Sequence, residues 1–188
     1  QIYDRGIQRD VINVGTGLVQ ERHTSDFWVF EGVDKRDYAV SGTWGADGTT
    51  YFWDVTDPAQ IRKIDSIQVD ARTVNDVKVS EDGRISVISR EGASSRRNGI
   101  VIIDTTNPYD VNIISEYTTN LTGGVHNVFI YQDHVFALSN GERFYVINIE
   151  DPKNPYEVGM FEIGEKGQAI HDVWIEDGIA YSSNWKHG

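Results

Sequence analysis

The chain contains no cysteine, which excludes both a disulfide framework and a cysteine-ligated zinc site. It also lacks any apolar run near the roughly 20 residues that a membrane-spanning helix needs. Methionine and proline are scarce, at 1 and 4 residues, whereas there are 5 tryptophans and 9 tyrosines. Aromatic residues favour strands, so this composition indicates a β fold that is stabilised by packing rather than by cross-links.

Positive charge is also in short supply. The chain has 17 Lys and Arg against 29 Asp and Glu, a net charge of −12 at pH 7. A surface of this sign repels nucleic acids and anionic membranes, so we expect neither as a partner. Protein, polymer and small-molecule ligands remain possible, as does a divalent metal ion.

An internal repeat is the strongest feature of the sequence. Four segments align without gaps and share Asp or Asn in their second position; they cover residues 25–29, 75–79, 126–130 and 171–175. The shared position therefore recurs at intervals of about 45 to 50 residues, which is typical of a propeller blade. Helical periodicity is not sustained anywhere between these segments.

Three further strand-like runs follow each shared segment in a fixed order. The second runs end near a serine, at 38–41, 85–89, 135–139 and 179–182. The third runs end in Pro58, Pro108 and Pro152, and the fourth begin at Ile61 and at the equivalent Val111 and Tyr156. Four short strands per unit predict an all-β fold, a β-propeller of about four blades with four antiparallel strands each. A β-sandwich is the alternative, but that fold does not require the same proline turn at the same position of each repeat.

Residues 99–108 and 145–155 resemble the LVIVD repeat family. Both carry an aliphatic run, then Asp or Asn, then a turn that contains proline. The family's second proline is present only as Pro155; residues 59–60 and 109–110 replace it elsewhere. The resemblance implies a propeller that is secreted, periplasmic or on the cell surface of bacteria or archaea, with no catalytic activity common to the family.

The repeat predicts blades at about 21–70, 71–120, 121–165 and 166–188, the last of them incomplete. A propeller ring closes only when its last blade meets its first. We therefore expect further sequence or another chain to complete the ring. Residues 1–20 form a separate segment, in which 11–14 are a candidate outer strand of the closing blade.

The first strand of each blade lines the central channel of a propeller, so the aligned segments predict a ring of polar side chains at the channel mouth. Its members are Ser25, Asp26, Asn75, Asp76, His126, Asn127, His171 and Asp172. Imidazole and carboxylate groups suit divalent metals, which makes His126, His171, Asp172 and Asp76 candidate metal ligands. The alternative is structural, because an Asp or Asn repeated in every blade is suited to capping backbone groups of the loops.

The loops between second and third strands open on the same face. Trp44 and Trp185 occupy equivalent positions in them, and exposed tryptophans often anchor partners. The basic cluster of Arg90, Arg96 and Arg97 offers groups for a carboxylate or phosphate. Together with Asn75 these residues are the candidate ligand-binding set.

No nucleophile elbow, phosphate-binding loop, dinucleotide fingerprint or zincin motif occurs in the sequence. The favoured hypothesis is a non-catalytic propeller that binds a protein, polymer or small ligand through its channel-mouth face. One alternative is a metal-dependent enzyme with His126 and His171 at the channel mouth. Another is a structural subunit of a larger extracytoplasmic assembly.

Overall fold

The fold is all-β, and we describe it from a computed structural model that covers residues 15–17, 22–163 and 169–184. The described residues form fourteen strands in four antiparallel sheets. The strands are β1 (His23–Glu31), β2 (Asp37–Trp44), β3 (Thr49–Asp54), β4 (Arg62–Gln68), β5 (Val77–Val79), β6 (Ile85–Arg90), β7 (Gly99–Asp104), β8 (Asn112–Tyr117), β9 (Val125–Tyr131), β10 (His134–Ser139), β11 (Arg143–Asn148), β12 (Tyr156–Glu162), β13 (Ile170–Glu176) and β14 (Ile179–Asn184).

Each sheet is one blade with its strands in sequence order. Blade 1 is β1-β2-β3-β4, blade 2 is β5-β6-β7-β8, blade 3 is β9-β10-β11-β12, and blade 4 is the hairpin β13-β14. The predicted repeat of four strands per unit is confirmed, as is the β-propeller fold class. Because every neighbouring pair of strands is antiparallel, short hairpin turns connect them.

The core consists of apolar layers between successive blades. In β7 the side chains alternate between two such layers, since successive residues of a strand point to opposite faces. Val101 and Ile103 pack toward blade 1, and Ile100 and Ile102 pack toward blade 3. All four are fully buried. This explains why the third run of the repeat is apolar throughout rather than alternating.

The turns that follow the third strands repeat the same capping chemistry. The side chains of Asp57, Asn107 and Asp151 each accept a hydrogen bond from the backbone N–H two residues on, at 3.0, 3.2 and 3.0 Å. The proline between them needs no hydrogen-bond acceptor, because it has no N–H. The sequence position of these prolines is thereby accounted for.

The hairpins between first and second strands turn through left-handed residues, as their Gly and Asp content predicts. Gly83 has φ 72° and Asp177 has φ 51°. At Gly83 a Cβ would also lie 2.4 Å from the carbonyl oxygen of Glu31 in blade 1, so only glycine fits this contact between blades.

Blades 1 and 4, the first and last of the described sheets, carry exposed apolar side chains. Phe27 and Val29 project from blade 1, and Ile179 and Tyr181 from blade 4. Completion of the ring by further blades stays a prediction, and the candidate strand at 11–14 lies outside the described residues. Within the part of the chain that is described, no helix is long and apolar enough to cross a membrane.

Candidate ligand site at the channel mouth

Strands β1, β9 and β13 and the segment that leads into β5 bring all eight predicted channel-mouth residues to one pocket of about 340 Å³. Its lining consists of Ser25, Asp26, Asn75, Asp76, Lys78, His126, Asn127, His171 and Asp172. The repeat explains the convergence, because each blade presents the same two positions to the channel. We call this space the channel-mouth pocket.

Two imidazole rings form one wall of the pocket. Nε2 of His126 lies 3.3 Å from Nε2 of His171, and the ring centroids are 5.1 Å apart with 58° between the planes. The two side chains come from adjacent blades, as their spacing in the sequence predicts. The rings also line a second pocket of about 240 Å³, formed with Glu91 and the loops at Gly123 and Asn140.

Glu91 orients the His126 ring. Its Oε1 lies 3.2 Å from Nδ1 of His126, and a carboxylate can only accept a hydrogen bond, so Nδ1 carries the hydrogen. In the neutral ring, Nε2 of His126 then carries the electron pair and can accept a hydrogen bond from Nε2–H of His171, 3.3 Å away. The hydrogen bond with Glu91 is the largest cause that raises the pKa of His126 above its ordinary value.

Asn75 holds the backbone at the base of the same ring. Its Nδ2 donates a hydrogen bond to the carbonyl oxygen of His126 at 2.8 Å and lies 3.3 Å from the ring Nδ1. Asn75 therefore ties blade 2 to blade 3 beside the imidazole pair. This is a positioning contact within the predicted site.

Asp76 ties blades together from inside the channel wall. It is 2% exposed, and its Oδ2 accepts a hydrogen bond from the backbone N–H of Val128 in blade 3 at 2.7 Å. Its Oδ1 accepts from Val77 N at 2.9 Å and from Nζ of Lys78. Both oxygens of Asp76 are thus engaged by the protein rather than left open to a metal ion.

Lys78 joins two carboxyl groups of the channel wall. Its Nζ pairs with Asp76 and with Asp26 of blade 1, the latter at 2.9 Å. Burial raises the pKa of Asp76 well above its ordinary value, and so does its side-chain hydrogen bond with Asp26, in which the protonated Asp76 donates. Burial alone would raise the pKa of Asp26 too, but the hydrogen bond with Asp76 and the charge of Lys78 lower it. The hydrogen bond between the two carboxyl groups thus shifts their pKa values in opposite directions.

A third space opens beside the channel-mouth pocket, between blade 1 and blade 4. This aromatic cleft, about 310 Å³, is lined by Asp26, Phe27, Trp28, Lys78, Phe129, Asp172, Val173, Trp174, Tyr181, Ser182 and Ser183. The rings of Phe129 and Trp174 lie 4.8 Å apart, and Trp28 lies 6.4 Å from Trp174. Nζ of Lys78 lies 5.0 Å above the Trp28 ring, a cation–π contact.

Asp26 and Asp172 border both the channel-mouth pocket and the aromatic cleft, and Asp172 is the more exposed of the two. Its Oδ1 accepts a hydrogen bond from the backbone N–H of Val173 at 2.8 Å, and the residue is exposed to solvent. The side chain therefore borders both the imidazole pair and the aromatic cleft.

The loop residues are placed less uniformly. Trp44 is 55% exposed and meets the ring of His23 edge-on at 6.5 Å, whereas Trp185 lies outside the described residues. Arg96 and Arg97 are exposed on their loop. Arg90 is only 3% exposed and donates to Glu116 at 2.9 Å, so it offers no guanidinium to a ligand, and the three arginines do not form one accessible cluster.

No three His, Asp or Glu side chains in residues 22–163 and 169–184 are grouped so that they could hold a metal ion together. Of the predicted metal ligands, His126 and His171 are the two whose ring nitrogens lie within hydrogen-bond distance of each other.

Lys78 and Glu91 belong to the site but were not predicted from the sequence. A signal for each was present. The fourth position of the aligned segments is aromatic at Trp28, Phe129 and Trp174 but cationic at Lys78. Glu91 stands two residues after a repeated serine, at a position that is Thr43 in blade 1. Both residues differ from those at the equivalent positions of other blades, and such departures from a repeat are where functional residues are expected.

No family model matches this chain, and no curated protein sequence does. Among solved structures, a hypothetical selenium-binding protein from Sulfolobus tokodaii is similar with a TM-score of 0.60 and 14% identity, over 75% of this chain and 39% of that one. Sqt1 from Chaetomium thermophilum, bound to the N-terminus of the ribosomal protein L10, matches with a TM-score of 0.60 and 10% identity, over 83% of this chain and 40% of that one.

Identities this low establish the shared fold and nothing about chemistry. The chain spans about two fifths of the length of these two structures.

Proposed function

We propose that this protein is a non-catalytic binding propeller that recognises a basic segment of a protein partner at the channel mouth. The observation that carries the proposal is the aromatic cleft, in which the carboxyl groups of Asp26 and Asp172 border the same space as the rings of Trp28, Trp174 and Tyr181. Carboxylates and aromatic faces both attract an ammonium or guanidinium group.

The cleft already holds one ammonium group in this manner. Lys78 lies over Trp28 and pairs with Asp26, so its charge is satisfied within the protein. Asp172 and the half-exposed Trp174 border the rest of the cleft. A lysine or arginine side chain of a partner fits between these two residues, in a site of the same chemistry.

The charge of the whole chain supports the same class of partner. A net charge of −12 accelerates the encounter with basic segments and repels acidic ones. Propeller folds commonly bind proteins, and Sqt1 is one that is bound to a segment of another protein.

We further propose that the protein is a member of the LVIVD repeat family and that it works outside the cytoplasm, in the periplasm, at the cell surface or as a secreted protein. The repeated turns at Pro58, Pro108 and Pro152 and the absence of free thiols support this proposal. A location assay with an epitope-tagged copy in the native host tests it, and a cytoplasmic signal would contradict it.

The binding proposal is tested with an array of peptides that are identical except for one central residue, Lys, Arg, Gln or Glu. The full chain is expected to retain the Lys and Arg peptides above the Gln and Glu peptides, with retention that falls as salt is added. Chelator is present throughout, so that metal ions do not contribute.

The variant Asp172→Asn is expected to abolish the preference for Lys and Arg. The matched control is Glu176→Gln, which removes an exposed carboxylate from the end of the same strand β13 but lies outside both spaces. Equal retention of the Lys and Gln peptides by the wild-type chain would refute the proposed function.

A further inference from the structure

Blades 1 and 2 meet through three aromatic rings at the face with the proline turns. Phe30 and Tyr38 of blade 1 lie 5.8 Å apart, and Tyr109 of blade 2 meets the ring of Tyr38 edge-on at 6.2 Å. The hydroxyl of Tyr109 also donates a hydrogen bond to Asp54 at 2.8 Å. The rings occupy the gap between these two blades, and Asp54 is only 3% exposed beside them.

Blades 2 and 3 carry no aromatic ring at the same three positions of the repeat. The register of the strands and the capping of the turns define the equivalent residues, which are Ser80 for Phe30, Ile85 for Tyr38 and Lys153 for Tyr109. Asp104 is the equivalent of Asp54, and it is exposed. The gap that aromatic rings occupy between blades 1 and 2 is thus left open between blades 2 and 3.

This open gap is a pocket of about 450 Å³, which we call the inter-blade pocket. Ligand pockets are commonly about 300 to 1,000 Å³. The floor of the inter-blade pocket is apolar and half-buried, with Ile85, Ile130 and Pro152 as its members. Because protein interiors are close-packed, the equivalent interface of blades 1 and 2 indicates which group fills such a gap well. That group is an aromatic ring.

The rim of the inter-blade pocket is acidic. Its four carboxyl groups are all on exposed residues, namely Glu81, Asp82, Asp133 and Glu150, and none of the described residues that line the pocket is basic. Carboxylates at a rim attract lysine and arginine side chains and repel acidic ones. The pocket is therefore complementary to a ring that has basic residues on either side of it.

We propose that the inter-blade pocket binds a segment of a partner protein in which lysine or arginine flanks an aromatic residue, with the ring seated between blades 2 and 3 as Tyr109 is between blades 1 and 2. This inference goes beyond the recognition of a basic segment at the channel mouth and does not depend on it. The pocket lies on the opposite face and requires a ring. The peptides of the array described above are made without aromatic residues, so each proposal stands or fails by itself.

The test is fluorescence anisotropy with two labelled peptides that have Tyr or Ser between two lysines in a Gly-Ser background. The full chain with Asp172→Asn is used beside the wild type, because that variant removes the contribution of the channel mouth. It is expected to bind the Tyr peptide about tenfold or more tightly than the Ser peptide, since burial of a ring is favourable. A Tyr peptide with two glutamates in place of the lysines should not bind.

Two variants restore a ring at the blade 2 and blade 3 interface. Lys153→Tyr and Ser80→Phe are each expected to fill the pocket and to lower the affinity for the Tyr peptide to that for the Ser peptide. The matched control is Ala59→Tyr, which adds the same ring at the equivalent exposed position of the turn in blade 1, outside the pocket. It should leave binding unchanged, and circular dichroism checks that each variant is folded.

Equal affinity of the Asp172→Asn chain for the Tyr and Ser peptides would overturn the proposal, and that result needs no pocket variant to fold. So would an affinity for the Tyr peptide that is unchanged in both Lys153→Tyr and Ser80→Phe. Free tyramine that binds as tightly as the Tyr peptide would show that the pocket takes a small aromatic cation rather than a protein segment, which would also overturn it.

Discussion

Oδ2 of Asp76 in blade 2 accepts a hydrogen bond of 2.7 Å from the backbone N–H of Val128 in blade 3. The repeat places a carboxyl or amide group at this position in every blade, and here it joins two neighbouring sheets at the wall of the channel. Val128 is fully buried, so its N–H has no access to water if Asp76 is lost. The contact is therefore expected to contribute to the stability of the channel wall.

Substitution of Asp76 by Ala is expected to destabilise the fold by about 3 kcal/mol. The change leaves the N–H of Val128 unpaired and removes one of the two carboxyl partners of the buried ammonium of Lys78. Chemical denaturation measures the free energy of unfolding. The control is Asp82→Ala in the exposed hairpin of blade 2, and a loss in Asp76→Ala no larger than in that control would contradict this role.

The pH dependence of the same site has a defined sign. Since the pKa of Asp76 is raised in the folded protein, its protonated form contributes stability at low pH, and this contribution is lost as the pH rises through the folded value. Asp76→Asn cannot titrate. The stability of the wild type relative to Asp76→Asn should therefore be greater at about pH 5 than at about pH 9.

Denaturation of both proteins at the two pH values measures this difference. A wild-type chain that gains stability over Asp76→Asn as the pH rises would show that Asp76 is ionised in the fold.

Asp54 is the opposite case, at the end of β3. It is 3% exposed and accepts hydrogen bonds from Arg36 at 2.7 Å, Arg62 at 2.9 Å and Tyr109 at 2.8 Å. Burial alone would raise the pKa of Asp54, but the hydrogen bonds from Tyr109, Thr56 and Arg62 lower it well below its ordinary value. Its contribution to stability is present above the unfolded pKa and is lost as the pH falls below it.

Asp54→Asn is therefore expected to lower the free energy of unfolding by about 3 kcal/mol at neutral pH. The variant should also lose less stability than the wild type as the pH falls. The chain supplies its own control in Asp104→Asn. Asp104 is exposed and caps Thr106 N at 2.9 Å, and an asparagine already does the same work at position 148 of blade 3. Equal losses in the two variants would mean that charge plays no part at Asp54.

Two tryptophans should respond differently to truncation. Trp28 is half-buried against Phe129 and Trp174, so Trp28→Ala is expected to cost about 2 to 3 kcal/mol. Trp44 is 55% exposed, and Trp44→Ala should change stability by no more than about 0.5 kcal/mol. Thermal unfolding of the two variants provides the comparison, and a large loss in Trp44→Ala would reassign that residue from a candidate anchor to the core.

The architecture was predictable because the same strand pattern recurs in four segments of the sequence. A proline turn of fixed phase after an apolar run defines the third strand, and Asp or Asn at the start of each inner strand defines the channel wall. The convergence of His126 and His171 followed from their equivalent positions in adjacent blades. These inferences need only the register of one unit, which the other units confirm.

Contacts between different positions of different blades were not predictable in this way. Glu91 reaches His126 from the residue that follows β6 in the neighbouring blade, and Lys78 joins Asp26 to Asp76. Such contacts depend on where long side chains are directed, which spacing does not encode. Arg90 illustrates the same limit: it is in sequence a member of a basic loop, but its side chain is buried in blade 2.

We expect this propeller to bind the basic segment of its partner at the channel mouth and not at the face with the proline turns. Hydrogen–deuterium exchange with and without the preferred lysine peptide distinguishes the two faces. Binding at the channel mouth should slow exchange in β1, β9 and β13, at the residues that border Asp26, Phe129 and Asp172. Protection confined to the turns at Asp57, Asn107 and Asp151 would place the binding surface on the opposite face and rule out the channel mouth.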